Sequence, residues 1–294
     1  MAVDTARVTF ATTRRTRRRK LVNRAMEAIA TLASLAAVAV LAVVVISVAR
    51  RGISALDWDF FTKTAATFGQ TGGGVANALV GSIVIVGVAT AMALPVGILV
   101  ALYVSEFAPP RIAAGVRLVL DILNGLPSII LGIFVFGLLV IGSGQAAWKG
   151  SFALAIIMLP LIARSTQEVL ALVPSTLREG ALALGASRWR TVLGVVLPTS
   201  VGGILTGTTL AVARAAGETA PLLFTTSIAA NAVDWDPHHA LLSMPLAIFQ
   251  LSESPDPADH ARAWALAFVL ITFVLITSLT ARLLLARSRK KLEG

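Results

Sequence analysis

The chain has 294 residues, 56 % of them hydrophobic and only 14 % charged, with a mean hydropathy of +0.84. Soluble domains carry about 25 % charged residues, so a disordered or ordinary soluble chain is excluded and the protein is expected to face lipid. The net charge of +10 would point to a nucleic-acid partner in a soluble protein, and the lack of cysteine removes disulfides, thiolate metal sites and cysteine nucleophiles.

A transmembrane helix takes about 20 mostly apolar residues, and six stretches qualify: 29–49, 75–104, 122–141, 151–173, 200–230 and 264–281. The first follows a basic run, Arg14 to Lys20, as the core of a signal peptide would. It is too long for one, and it meets Arg50 and Arg51 without a small-residue cleavage pattern, so it is read as a retained anchor. The expected organisation is all-α and polytopic: a basic cytoplasmic arm at 1–28, one membrane domain at 29–285 with a cytoplasmic loop at 174–198, and a tail at 286–294.

Charge sets the orientation. With the N-terminus inside, eighteen Lys and Arg fall on the cytoplasmic side against five outside (Arg50, Arg51, Lys63, Lys149 and Arg262). Residues 231–261 form the last external connection and hold Asp234, Asp236, Glu253, Asp256 and Asp259 with no Lys or Arg. The positive-inside rule therefore predicts both termini in the cytoplasm, and the excess charge needs no nucleic acid. Trp58, Trp148, Trp235 and Trp264 fall in or beside the expected external connections, where an amphipathic ring prefers the headgroup region.

Two cations remain inside the apolar stretches. Arg214 sits midway along 200–230 with Glu218 at i+4, which on one helix places both on the same face. Two readings stand, a self-neutralising structural pair and a substrate or gating role. Arg164 lies roughly 20 Å from the external end of 151–173 by helical rise, with Glu168 one turn on as a local partner. It either snorkels to the cytoplasmic face or lines a path. A guanidinium presents a planar fork of donors that matches a tetrahedral oxyanion, so the expected cargo is an anion.

Pro95, Pro127, Pro160 and Pro221 are expected to interrupt four spans, and Asn124-Gly125-Leu126-Pro127-Ser128 is the densest break, either a packing feature or a gate. Gly72-Gly73-Gly74 is no phosphate loop, because G-x-x-x-x-G-K-[ST] is absent from the chain. His238 and His239 beside Asp234 and Asp236 lack helical ligand spacing, so metal is not expected there.

The most informative segment is Val173 to Ser200. Pro174-Ser175 opens a short helix, Gly185 divides two arms, and Leu182, Leu184, Trp189 and Val192 give an apolar side fit for a partner's groove or a lipid surface. The run from Glu179 to Pro198 resembles the E-A-A loop of bacterial ABC importer permeases: Glu179, Ala181 and Gly185 match and Leu197-Pro198 closes it, while Gly180 and Val195 stand where alanine and isoleucine are usual. From Gly72 to Arg282 the chain is similar to the permease subunits of phosphate-specific ABC import systems, through segments including ARAAGETAPLLFT and SMPLAIFQLSESPDPADHARAWA. Of the two permeases in such systems, Ala220 to Thr225 fits one better than its sister.

The resemblance implies the ABC type I importer permease fold with six transmembrane helices and no catalytic role. It implies that Arg214, Glu218 and Arg164 line the phosphate path and that Glu179, Ala181, Gly185, Leu197 and Pro198 meet the motor. The implied partners are a sister permease, two copies of a cytoplasmic ATPase subunit that holds ATP and magnesium, and an external phosphate-binding protein in the bacterial inner membrane system. Competing readings are a permease for sulfate or molybdate, a signalling role added to the same complex, and an integral-membrane phosphoester or lipid enzyme, which would need an interfacial carboxylate or histidine cluster.

Overall fold

The computed structural model describes residues 14–64, 73–227 and 232–293. The expected positions Arg7 and Gly72, and the ends of the stretches 1–28, 200–230, 231–261 and 286–294 at 1–13, 228–230, 231 and 294, lie outside them. Among the described residues the regular structure is helical: α1 (Arg14–Gly52), α2 (Trp58–Thr62), α3 (Ala76–Leu102), α4 (Pro110–Gly125), α5 (Ser128–Val135), α6 (Ala147–Ala171), α7 (Ser175–Ala183), α8 (Arg188–Thr191), α9 (Leu197–Ala215), α10 (Ala220–Thr225), α11 (Met244–Ser252) and α12 (Pro257–Glu293). π-Helical segments at Tyr103–Phe107 and Phe136–Val140 extend α3 and α5, and a third at Val192–Val196 joins α8 to α9.

Five of these helices are long and apolar enough to cross a membrane: Arg17–Ala55, Ala76–Phe107, Ala147–Ala171, Arg188–Ala215 and Pro257–Thr280. The expected third span, 122–141, is not a straight helix. Its first residues end α4, and the chain then bends by 97° between Pro110–Gly125 and Ser128–Val140, so a sixth crossing exists only if that bent pair counts as one. The cause is Pro127, which lacks an N–H and disfavours helix at the residue before it; Leu126 is extended and Pro127 becomes the N-cap of α5.

Two further expectations change in the same way. The apolar run 200–230 is two helices, because α9 stops at Ala215 and α10 starts anew around Pro221. The stretch 231–261, expected as an external connection, contains α11, opened by the Ser243 hydroxyl, which accepts from the amide of Leu246 at 3.4 Å. Conversely Pro95 and Pro160 lie inside unbroken helices, so only Pro127 and Pro221 mark real breaks.

The chain divides into two units, Met1–Ser47 and Val48–Gly294. In the first, every side chain from Arg17 to Val44 is exposed on a single helix, charged up to Glu27 and largely apolar beyond it. The second is organised around α3 and α6, its most extensive helix pair. Small residues of α3 (Ala78, Ala89, Ala93, Gly97) make that approach possible, and at Gly97 an added Cβ would lie 2.8 Å from Cγ2 of Ile162. The Ser151 hydroxyl donates across the pair to the Ile85 carbonyl at 2.9 Å. Close packing by small residues replaces the hydrophobic drive that lipid removes. α9 then packs on α6, and α12 on α9 and α11.

The loop before α11 closes the start of α6. The amides of Ala147 and Trp148 donate to the carbonyls of His239 and Pro237, both at 2.8 Å, occupying donors that a helix start leaves open. In that loop His239 Nδ1 lies 2.5 Å from Asp234 and His238 Nδ1 2.9 Å from Asp236. The hydrogen bond and charge of Asp234 raise the pKa of His239, while the Asp236 amide, and then His239, lower that of Asp234. Stability from His239 is complete below the ordinary histidine value and is lost as pH rises through the raised one; that from Asp234 is lost as pH falls through its depressed value. Amide exchange in 232–243, corrected for intrinsic rate, should therefore be slowest between these limits and rise on the alkaline side, and His239→Ala should flatten that rise.

Candidate functional site

α9 delivers Arg214 in its last turn, where a cation complements the carbonyl end of the helix dipole. Arg214 is thus at a helix end and not at the middle of a span. The helix ends in a tight turn, in which Gly217 and Glu218 donate their amides to the carbonyls of Arg214 and Ala215, both at 3.1 Å, before Pro221 opens α10. Glu218 therefore sits on the turn beyond the helix. It still faces Arg214, with 3.8 Å between Nε and Oε1, and it is the more buried partner, its side chain 18 % exposed against 53 % for Arg214.

Opposite this break stands the other one. Leu123, Asn124, Leu126, Pro127 and Ser128 line, together with Leu131, Ile157, Arg214 and Glu218, a cavity of about 200 Å³. The two interruptions face each other because the helices that follow them touch: an added Cβ at Gly132 of α5 would meet Cα of Pro221 of α10 at 2.6 Å. Leu131 and Ile157 give the cavity apolar walls, and Asn124 and Ser128 add an amide and a hydroxyl to the arginine and the carboxylate. A guanidinium beside neutral donors is a chemistry for oxyanions.

Arg164 is elsewhere. Its guanidinium pairs with Asp121 of α4 and donates to the Arg117 carbonyl at 3.1 Å, not to Glu168. The expected local partner Glu168 is thereby corrected to Asp121. The acid comes from a neighbouring helix, across a separation in sequence that no local spacing reveals. Asp121 was legible only as the single charge in Leu118 to Leu126.

The segment after α6 forms the expected two arms. α7 carries Glu179 and Ala181, Gly185 turns the chain with φ +81°, and α8 follows with Ser187 as its cap. A positive φ is open to glycine at no steric cost. Glu179 and Gly185 are exposed, as are Leu182, Leu184 (91 %) and Trp189, while Leu197 is half-buried and Pro198 exposed at the start of α9. Leu182, Leu184 and Trp189 are thus the exposed part of the expected apolar side, while Val192 is turned inward and buried at 1 % exposure. Sequence reasoning missed Arg178, which turns inward and bonds Glu106 at the end of α3.

The class of protein is given by its relatives: a transport permease. The chain belongs to the family of binding-protein-dependent transport system inner membrane components, whose profile matches residues 93–290, and within it to the PstA group. It is 39 % identical to the phosphate transport system permease protein PstA of Haemophilus influenzae, over 81 % of this chain and 85 % of that one. It is 40 % identical to the PstA of Xylella fastidiosa strain Temecula1, over 93 % and 96 %, and 36 % identical to PstA 1 of Mycobacterium tuberculosis strain H37Rv, over 76 % and 74 %. The fold matches the MetNI methionine ABC transporter in an inward-facing conformation, with a TM-score of 0.58 at 18 % identity over 72 % of this chain and 95 % of that one. It also matches a bacterial alginate ABC transporter captured with its pentasaccharide-bound periplasmic protein, with a TM-score of 0.57 at 13 % identity over 95 % and 96 %. The protein is a multi-pass membrane permease without a catalytic role, and its family works with an ATPase and a substrate-binding protein.

Proposed function

We propose that the chain carries inorganic phosphate across the bacterial cytoplasmic membrane by alternating access, with both termini in the cytoplasm as the Lys and Arg asymmetry requires. Its partners are a sister permease of the PstC kind, two ATPase subunits of the PstB kind that bind ATP and magnesium, and an external binding protein of the PstS kind. The observation that carries this reading is the cavity in which Arg214 and Glu218 meet the α4–α5 break, in a chain similar to PstA permeases along most of its length.

Arg214 draws the anion, Asn124 and Ser128 offer it neutral donors, and Glu218 weakens the hold so that the anion leaves. Arg164 forms a second cationic position, released from Asp121 as α4 shifts against α6. Glu179, Ala181, Gly185, Leu197 and Pro198 form the ATPase-facing region, with Leu184 and Trp189 as its apolar anchors.

The test is reconstitution. Purified from its native membrane, the permease should bring with it an ATPase whose hydrolysis rises when phosphate-loaded binding protein is added, and Glu179→Ala should abolish that rise. Uptake of labelled phosphate should compete with unlabelled phosphate and not with sulfate or molybdate. Absence of an ATPase, or competition by sulfate alone, would overturn the reading.

A further inference from the structure

Arg178 precedes the exposed Glu179 on α7 but points the other way. Its guanidinium makes three bonds: Nη2 to Glu106 Oε1 at 2.9 Å, Nη2 to the Leu170 carbonyl at 2.8 Å and Nη1 to the Val173 carbonyl at 2.6 Å. Glu106 lies in the π-helical segment that ends α3, its side chain 10 % exposed, and Leu170 and Val173 lie in and just beyond the last turn of α6. One side chain thus ties the first helix of the loop to the ends of both helices at the centre of the fold.

Around it the contact is apolar. Ala101, Leu102, Leu170, Val173, Val192 and Val196 form a buried cluster separate from the main core. On its edge Phe107 meets the ring of Trp189 at 5.4 Å and the guanidinium of Arg188 at 5.4 Å. The planar fork of arginine suits this task, since it reaches a carboxylate and two carbonyls at once from one fixed geometry, which lysine cannot do. The Leu170 carbonyl also accepts the Val173 amide at 3.3 Å, a bond of the terminal turn to which Arg178 adds its own.

We propose that Arg178 and Glu106 are positioning residues that make the loop helix α7 and the ends of α3 and α6 move as one body, so that force applied at Glu179 reaches the helix that carries Arg164. This rests on the transport reading above. Without the clamp, α7 follows the ATPase while α3 and α6 lag, and hydrolysis proceeds with less transport.

The measured quantity is phosphate imported per ATP hydrolysed by the assembled complex in vesicles, which a residue needed only for folding would leave unchanged in the complexes that do assemble. Arg178→Ala should lower that ratio at least fivefold; should that complex fail to assemble, Glu106→Gln, which keeps both carbonyl bonds, should still lower it about twofold. The chain has no cysteine, so Glu106→Cys with Arg178→Cys introduces the only thiols in this subunit. A short bifunctional thiol reagent applied to that variant should restore the ratio to at least half the wild-type value. A wild-type ratio in Arg178→Ala or Glu106→Gln, or cross-linked complexes no better coupled than untreated ones, would overturn the proposal. A wild-type complex that imports no phosphate would instead overturn the transport reading, which keeps the two failures apart.

Discussion

Arg214→Gln should cut phosphate uptake by about one to two orders of magnitude in a complex that still assembles and still hydrolyses ATP. Glutamine keeps the length and some donors of the side chain but not its charge, and charge-assisted hydrogen bonds are worth about 1.5–3 kcal/mol. At 1.4 kcal/mol per factor of ten, uptake falls roughly ten- to a hundredfold. Assembly should survive because Arg214 is half exposed and its partner Glu218 sits 3.8 Å away on a turn, so little packing is lost. Labelled phosphate uptake, set beside co-purification of the ATPase, measures both halves of the statement. Full uptake by the assembled variant would remove Arg214 from the path.

The second large effect is expected at Gly207. α9 lies on α6 through Gly203 and Gly207, four residues apart, and the facing residues are Val169 and Ser165. An added Cβ at Gly207 would lie 2.2 Å from the Ser165 hydroxyl and 2.5 Å from its Cβ, and one at Gly203 would lie 2.5 Å from Cγ1 of Val169. The Ser165 Cβ is bonded to the backbone and cannot swing aside, and both γ-methyls of Val169 stand within 2.6 Å of the added Cβ at Gly203. Overpacking of this kind costs about 1–3 kcal/mol, so Gly207→Val should lower thermal stability in detergent and reduce the yield of complex. It should also impair transport in what remains, because α9 carries Arg214 towards Ile157 of α6. Gly87→Ala is the control: nothing lies within 4 Å of its added Cβ, and helix propensity favours alanine by up to about 1 kcal/mol.

Apolar length located the membrane helices well, because a straight helix in lipid needs little beyond a sustained run of apolar residues. Where it failed, at 122–141 and 200–230, the deciding signals were Pro127 and Pro221, each visible in the sequence but equal in type to Pro95 and Pro160, which the helices absorb. A proline states that an amide is missing; whether the chain breaks there depends on neighbours it does not name. The same limit applies to charge. Glu218 was legible as a partner of Arg214 because four residues separate them. Asp121 and Glu106 were not legible as partners of Arg164 and Arg178, since each pair is closed by helices far apart in sequence.

The Arg214–Glu218 pair gives the cavity at the facing breaks no net charge of its own. A spherical halide gains there only a Coulomb attraction that the carboxylate largely cancels, while losing its hydration. A tetrahedral oxyanion can turn several acceptor oxygens towards separate donors and keep its bonds directional. In the transport reading proposed above, such a site would favour a tetrahedral oxyanion over a halide by shape rather than by strength. Against a membrane potential worth about 2.3 kcal/mol per charge per 100 mV, that difference separates a carrier from a leak.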